Sequence, residues 1–274
     1  MSARVLIVGA GPGGLTLGLI LARASVAVDV YEQGATFERE FRGESLLPGG
    51  LQILESLGLR DRLAALERAS PTAVRLHLGR RDAIYDSPPL RARDGSAIVT
   101  SLPQRRLLEA LADEARACSG FGLHMGVAVR ELIVEGGRVV GVRSNAGEAR
   151  ADVVVGFDGR FSAVRRSAGI EVRAARVDFD VAWCAVPRRP DGLDRYEATI
   201  RGREVCFWYP TGPVTRIGLL LRKGEFQALR AAGFDSFRSR IVAGTLGAVQ
   251  ADLAASLRSW DDVTLLPAVS ALAS

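Results

Sequence analysis

Apolar runs broken by glycine-rich stretches predict the first elements of this chain. Residues 4–8 (RVLIV) form a short β-branched run, the pattern of a strand buried on both faces. Residues 9–14 read as a tight glycine-rich turn, with Pro12 near a helix start, where its missing N–H costs little. Residues 15–24 continue as an apolar helix, and residues 27–31 as a second strand that ends at Glu32. Farther along, Pro48-Gly49-Gly50 precedes an amphipathic helix carrying Leu51, Leu54, Leu57 and Leu59. Pro103 opens another helix with Leu107, Leu108 and Leu111 on its apolar side. Residues 153–157 repeat the buried-strand pattern, followed by an Asp158-Gly159 turn and a helix start over residues 162–168.

Other segments have a different period. Residues 72–78 and 82–90 are short alternating runs that predict strands of a second sheet, and residues 128–155 read as a meander with turns at Gly136-Gly137 and Asn145-Ala146-Gly147. From about Glu171, residues 177–187, 196–202, 204–210 and 214–224 predict strands separated by Pro and Gly turns, and helices follow over 226–232 and 234–244. The expected fold class is α/β. A Rossmann-like domain with a parallel sheet, over residues 1–72 and 101–170, is interleaved with a mainly antiparallel β-sheet domain over 73–100 and 171–274.

Composition narrows the functional classes. With 274 residues, 48% of them hydrophobic, the chain can bury a substantial core. The net charge of +5 is carried almost wholly by arginine, since Lys223 is the single lysine. The Arg80-Arg81, Arg105-Arg106, Arg165-Arg166 and Arg188-Arg189 pairs are scattered, so no nucleic-acid partner is expected. Cys118, Cys184 and Cys206 form no close pair, and His77 and His124 stand alone, which argues against a disulfide framework or a metal site. Residues 5–22 are apolar enough to suggest a signal-peptide core or a short membrane span. Their glycines have a better explanation in the turn above, and a cytoplasmic protein with no membrane partner is expected.

Gly9, Gly11 and Gly14 form G-x-G-x-x-G between a strand and a helix. The first glycine permits the turn, the second lets backbone approach a pyrophosphate, and the third lets helix and strand pack closely. The helix N-terminus offers free N–H groups and partial positive charge to that anion. Glu32, at the end of the second strand, is placed to accept hydrogen bonds from ribose hydroxyls. The motif predicts a dinucleotide without choosing between NAD and FAD.

Three further phrases resemble one family. Arg42 in "FRGESLLPGGLQILESLGLRDRL", Gln104 in "TSLPQRRLLEALADEARA", and Asp158, Gly159, Ser162, Val164 and Arg165 in "DGRFSAVR" are similar to the flavoprotein aromatic hydroxylases, the group A monooxygenases typified by p-hydroxybenzoate hydroxylase. The resemblance implies that Arg42 reaches the FAD phosphates and that Gln104 touches the cofactor, although an ordinary first-turn polar residue is the plainer reading of Gln104. It assigns the Asp158-Gly159 turn to FAD and the nicotinamide donor, and makes the antiparallel domain the substrate domain. There Trp183, Phe207, Trp208 and Tyr209 either line an aromatic pocket or belong to the core, and core is the preferred reading.

The chemistry so implied is hydroxylation of an aromatic or related small organic substrate. NADH or NADPH reduces FAD, and a flavin C4a-hydroperoxide delivers the hydroxyl group. No acid–base side chain is obligatory, so no catalytic residue is nominated. The family carries a third segment, a strand into Gly-Asp followed by a long helix, and residues 260–274 resemble the approach to it without reaching the Gly-Asp. The expectation is therefore a C-terminally truncated chain in which strand 153–157 lies at an unpaired edge. On that expectation the alternatives are a non-catalytic dinucleotide-binding remnant, half of a split flavoenzyme completed by a C-terminal fragment, or an NAD(P)-dependent reductase without flavin.

Overall fold

The computed structural model describes residues 3–38, 44–66, 68–79, 83–91, 95, 97–175, 177–189, 194–268 and 270–273. The chain begins with β1 (Arg4–Val8), α1 (Pro12–Arg23) and β2 (Ala27–Glu32), the strand–turn–helix–strand read from the sequence. A short β3 (Ser45–Leu46) leads to α2 (Pro48–Leu54), a π turn over Glu55–Leu59, and α3 (Arg60–Ala65). The expected continuous helix is thus broken, because Gly58 takes the left-handed backbone (φ 70°) that glycine tolerates. β4 (Val74–Leu78), β5 (Ala83–Asp86) and β6 (Thr100–Ser101) precede α4 (Gln104–Arg116) and β7 (Phe121–Met125). The meander follows as β8 (Val129–Glu135), β9 (Arg138–Ser144) and β10 (Gly147–Arg150), then β11 (Val153–Gly156) and α5 (Ala163–Ser167). The remainder is β12 (Val172–Ala175), β13 (Phe179–Pro187), β14 (Tyr196–Arg201), β15 (Glu204–Thr211), β16 (Val214–Arg222), α6 (Glu225–Ala232), α7 (Phe234–Gly244), α8 (Gly247–Ser256), a 3-10 turn at Trp260–Asp262, β17 (Thr264–Pro267) and β18 (Ser270–Ala273).

A four-stranded parallel sheet, in the order β11-β1-β2-β7, forms one half of the architecture. Strand β1 is central, and its alternating side chains serve two cores. Val5 and Ile7 pack with Leu15, Leu19 and Leu108 of α1 and α4, whereas Leu6 and Val8 pack with Val142 and Val154 beneath the β8-β9-β10 meander. Burial on both faces is why RVLIV has no polar alternation. Strand β7 was not expected from the sequence, because FGLHM lacks an apolar run. It is held in register by β2 (Val28↔Phe121, Glu32↔Met125). Among the described residues β11 is the edge, bonded to β1 alone, with Val153 and the adjacent Phe157 48% and 40% exposed.

The other half is a seven-stranded sheet in the order β17-β13-β16-β15-β14-β4-β5, antiparallel except where β14 runs parallel to β4. Helices α6–α8 cover one face, where Phe237, Ile241 and Leu253 pack on Ile217, Leu219 and Cys184. The opposite face carries Val181, Trp183 and Tyr209. Helix α8 and strands β12, β17 and β18 were also unforeseen, and β12 pairs antiparallel with β18. Among the described residues no helix is long and apolar enough to cross a membrane.

Candidate cofactor site

The glycine-rich turn lies at the carboxyl end of β1, with β2 on one side and β11 on the other, the switch point at which open α/β sheets bind ligands. Each glycine has a distinct physical reason. Gly9 has φ 105°, donates its N–H to Tyr31 O at 2.7 Å, and lies so close to β11 that a Cβ would stand 2.5 Å from Phe157 O. At Gly14 a Cβ would stand 2.0 Å from Gly9 O, so this glycine lets α1 press against the turn. A Cβ at Gly11 would meet nothing within 4 Å, since that position faces open space. Helix α1 starts there with Pro12 in its first turn, no side-chain cap and no acidic first-turn residue. Its first N–H groups and positive dipole end are left for an anion.

Glu32 is 5% exposed and braces this turn: Oε2 accepts from Ala10 N–H at 2.9 Å and Oε1 from Gly34 N–H at 2.8 Å.

The second turn is built differently. Asp158 Oδ2 accepts from the N–H groups of Ala163 (2.6 Å) and Val164 (3.1 Å), and Asp158 Oδ1 accepts from Ser162 Oγ at 2.5 Å. Ser162 Oγ in turn accepts from Arg165 N–H at 2.9 Å. Asp158 and Ser162 therefore cap α5 and occupy the amides that a phosphate would need there, in contrast to the open α1. Gly159, at φ 77°, turns the chain, and Arg160 donates to Pro267 O at 2.7 Å, tying the turn to the end of β17.

One cavity of ≈ 260 Å³ brings Gly9, Gly11, Glu32, Asp158 and Gly159 together. Gly14 lies beneath the turn as packing. Gln104 is half-buried at the first position of α4 and does not line this cavity, and Arg42 lies outside the described residues. Tyr31, Val127, Val129, Arg160 and Arg166 also line it and were missed. Tyr31 and Arg160 adjoin the motifs and were within reach of sequence reasoning. Val127 and Val129 arrive only through the packing of the meander.

The FAD binding domain model matches residues 2–214. The chain belongs to the FAD-dependent monooxygenase family. This member is 34% identical over 269 residues to 6-methylpretetramide 4-monooxygenase of Streptomyces rimosus, a match covering 96% of this chain and 63% of that protein. It is 32% identical over 168 residues to squalene epoxidase 4 of Arabidopsis thaliana, covering 60% of this chain and 32% of that one. The chain thus spans less than two thirds of the length of these curated relatives. Its fold matches P. aeruginosa PqsL in complex with 2-aminobenzoylacetate (TM-score 0.80, 22% identity, 97% of this chain and 74% of that one). It also matches 2-methyl-3-hydroxypyridine-5-carboxylic acid oxygenase (TM-score 0.78, 18% identity, 100% and 72%).

The residues of this family member fit FAD. The space at Gly11 and the uncapped α1 suit a pyrophosphate, and Glu32 places a carboxylate, the acceptor type that hydroxyl groups require, on the cavity wall. The strand alternation divides the four aromatics for which core is the preferred reading over a substrate pocket, and all four sit in or against buried clusters. Trp208 packs with the helices on one face. Trp183, Phe207 and Tyr209 share the other face with Tyr196, with Trp183 edge-on to both Phe207 (5.2 Å) and Tyr209 (6.1 Å). Gly218 lies across from Trp183 and Phe207 in register, and the Phe207 ring covers it so closely that a Cβ would stand 2.5 Å away. Arg216, paired across from Tyr209, forms a two-pronged ion pair with the buried Glu44 (2.9 and 2.7 Å), joining this face to the segment before β3. Burial, with help from Glu44 and Tyr196, pushes the Tyr209 hydroxyl well above its ordinary value, so it stays protonated.

Proposed function

We propose that this chain binds FAD at the β1–α1 turn and takes part in hydroxylating an aromatic or related small organic substrate, with NADH or NADPH as electron donor. The observation that carries the reading is the convergence of both fingerprint turns on one cavity, at a sheet switch point, beside a helix N-terminus that nothing else caps. The family match and the names of the relatives, 6-methylpretetramide 4-monooxygenase and 3-amino-4-hydroxybenzoate 2-monooxygenase among them, support the reaction class. When bound and reduced, FAD would supply the oxygen activation that no side chain here can perform.

The protein's own part is binding and orientation. The first-turn amides of α1 hold the pyrophosphate, and Glu32 both stiffens the turn and accepts from ribose hydroxyls. Asp158 acts by capping α5, which sets the position of Gly159 and Arg160. Residues 1–72 and 101–170 form the FAD-binding domain in this reading, and 73–100 with 171–274 the substrate domain. The face bearing Trp183, Tyr196, Phe207 and Tyr209 is a largely buried, apolar aromatic wall, the kind of surface against which an aromatic substrate would pack.

The test is titration of FAD into the purified chain, followed by absorbance and flavin fluorescence. A saturable one-to-one complex with a shifted flavin band is expected. Free-flavin spectra throughout, from a chain that circular dichroism shows to be folded, would refute binding. Once FAD is bound, a substrate panel with NADH and NADPH should raise donor oxidation above the substrate-free blank, and failure with every member would refute the reaction.

A further inference from the structure

The helix-covered face of the seven-stranded sheet holds a second cavity, of ≈ 370 Å³, which shares no lining residue with the cofactor cavity. That volume suits a small molecule. Glu197 and Trp208 line it, while their strand neighbours Tyr196 and Tyr209 point to the opposite face, so the sheet itself separates it from the aromatic wall.

Its charges are unevenly placed. Arg75, Arg188, Arg189 and Arg195 line the cavity against two lining carboxylates, Glu197 and Asp252. The partners of Arg75 and Arg188 are Asp86 and Asp194, which lie off the lining with side chains 53% and 47% exposed, against 28% and 24% for the arginines. Water screens those outer carboxylates, so the cavity keeps a positive bias. Bidentate pairing of Arg75 with Asp86 (2.6 and 2.7 Å) and of Arg189 with Asp252 (2.7 and 2.7 Å) holds both guanidinium planes in place.

Residues 246–249 add the first turn of α8 to the lining. That helix has ten residues, no side-chain cap and no acid in its first turn, and its dipole adds to the positive bias. Val186, Pro187, Pro210, Val249 and the Trp208 indole form an apolar side of the wall, with His77 and Thr215 as the wall's further polar members.

We propose that this cavity is a binding site for a small organic acid, a carboxylate carried on a flat apolar body. The carboxylate lies among the guanidiniums and the α8 N-terminus, and the body rests on the Trp208 side. A bare inorganic anion would leave the apolar side of the wall in water, and a neutral ring would make no use of the positive bias that the outward-paired arginines and the α8 N-terminus create. The occupant would touch strands β14 and β15, which also carry the aromatic wall on their other face.

Benzoate is the probe, measured by calorimetry on the whole chain, with benzyl alcohol and inorganic phosphate as controls. Benzoate is expected to saturate and to bind at least tenfold tighter than either control. Ala248 is exposed in the first turn of α8, where an acid favours the helix. Ala248→Glu should therefore keep the melting temperature and FAD binding while weakening benzoate at least tenfold. Arg188→Gln, whose lost ion pair has a solvent-exposed partner, should weaken it in the same direction. Non-saturable benzoate binding, equal binding of either control, or affinity unchanged in both variants would overturn the proposal.

Discussion

Replacing Gly11 with alanine separates the fold from the binding of FAD. Gly11 is the N-cap of α1 with φ −74° and ψ 179°, a conformation open to alanine, and its Cβ would meet nothing within 4 Å. Two small terms act on the free protein. Alanine reduces the conformational freedom of the unfolded chain, worth about 0.4–1 kcal/mol in favour of the native state. It is also a poorer N-cap than glycine, a loss of roughly 0.5–1 kcal/mol. They nearly cancel, so the melting temperature should stay within about 3 °C of wild type. The methyl group, however, projects where a pyrophosphate must approach the backbone. Loss of one hydrogen bond to a charged oxygen costs about 1.5–3 kcal/mol, which corresponds to a roughly 10- to 150-fold weaker dissociation constant. Urea unfolding of the FAD-free protein and fluorescence titration with FAD measure the two effects. Unchanged FAD affinity in a folded Gly11→Ala protein would refute the placement of the anion, and a large loss of stability would refute the reading of open space.

Gly14→Ala is expected to do the opposite, since its Cβ would stand 2.0 Å from Gly9 O and α1 must move off the turn; overpacking of this kind costs about 1–3 kcal/mol or more, visible as a lower urea midpoint without any ligand. Glu44→Gln removes the charge from the two-pronged pair with the half-buried Arg216 and should cost about 3 kcal/mol, while Glu44→Leu combined with Arg216→Met should recover much of that loss, as urea unfolding of the single and double variants would reveal. Burial pushes the Asp29 carboxyl up, but hydrogen bonds from His124 (2.7 Å) and Arg4 (2.9 and 2.7 Å) outweigh it and hold the group below its ordinary 3.8. Its stabilising contribution is therefore full above pH 4 and lost as pH falls through the depressed native value, and Asp29→Asn should flatten the acid limb of stability against pH. Burial pushes the Cys206 thiol up to about 12 and raises Cys184 as well, so a thiol reagent at pH 8 should label Cys118 in the native protein and all three cysteines in denaturant.

Local pattern carried some elements to the residue. β1 and α7 have the bounds that their apolar runs predicted, and the glycine spacing anticipated the βαβ unit with Glu32 at the second strand end. Other features were hidden because their causes are not local. Strand β7 is a strand through its register with β2, and the helix over 51–59 breaks at Gly58, whose left-handed backbone the leucine spacing does not reveal. The phrase around Asp158 was legible as a turn before a helix. That its carboxylate is engaged by Ser162 Oγ and by the amides of Ala163 and Val164 is a matter of side-chain direction.

The sequence by itself determined the chemistry available at the β1–α1 turn. Only glycine tolerates the left-handed backbone at position 9 and the close approach at position 14, so the residue types announce the geometry. Tertiary structure decided what meets across distance. It brought the second turn beside the first at the edge of one sheet, drew Glu44 to Arg216, and split Trp208 from Trp183, Phe207 and Tyr209. The physical reason is that side chains alternate along a strand with period two, which is local, whereas strand order and register are set by the burial of whole faces, to which residues far apart in the chain contribute together.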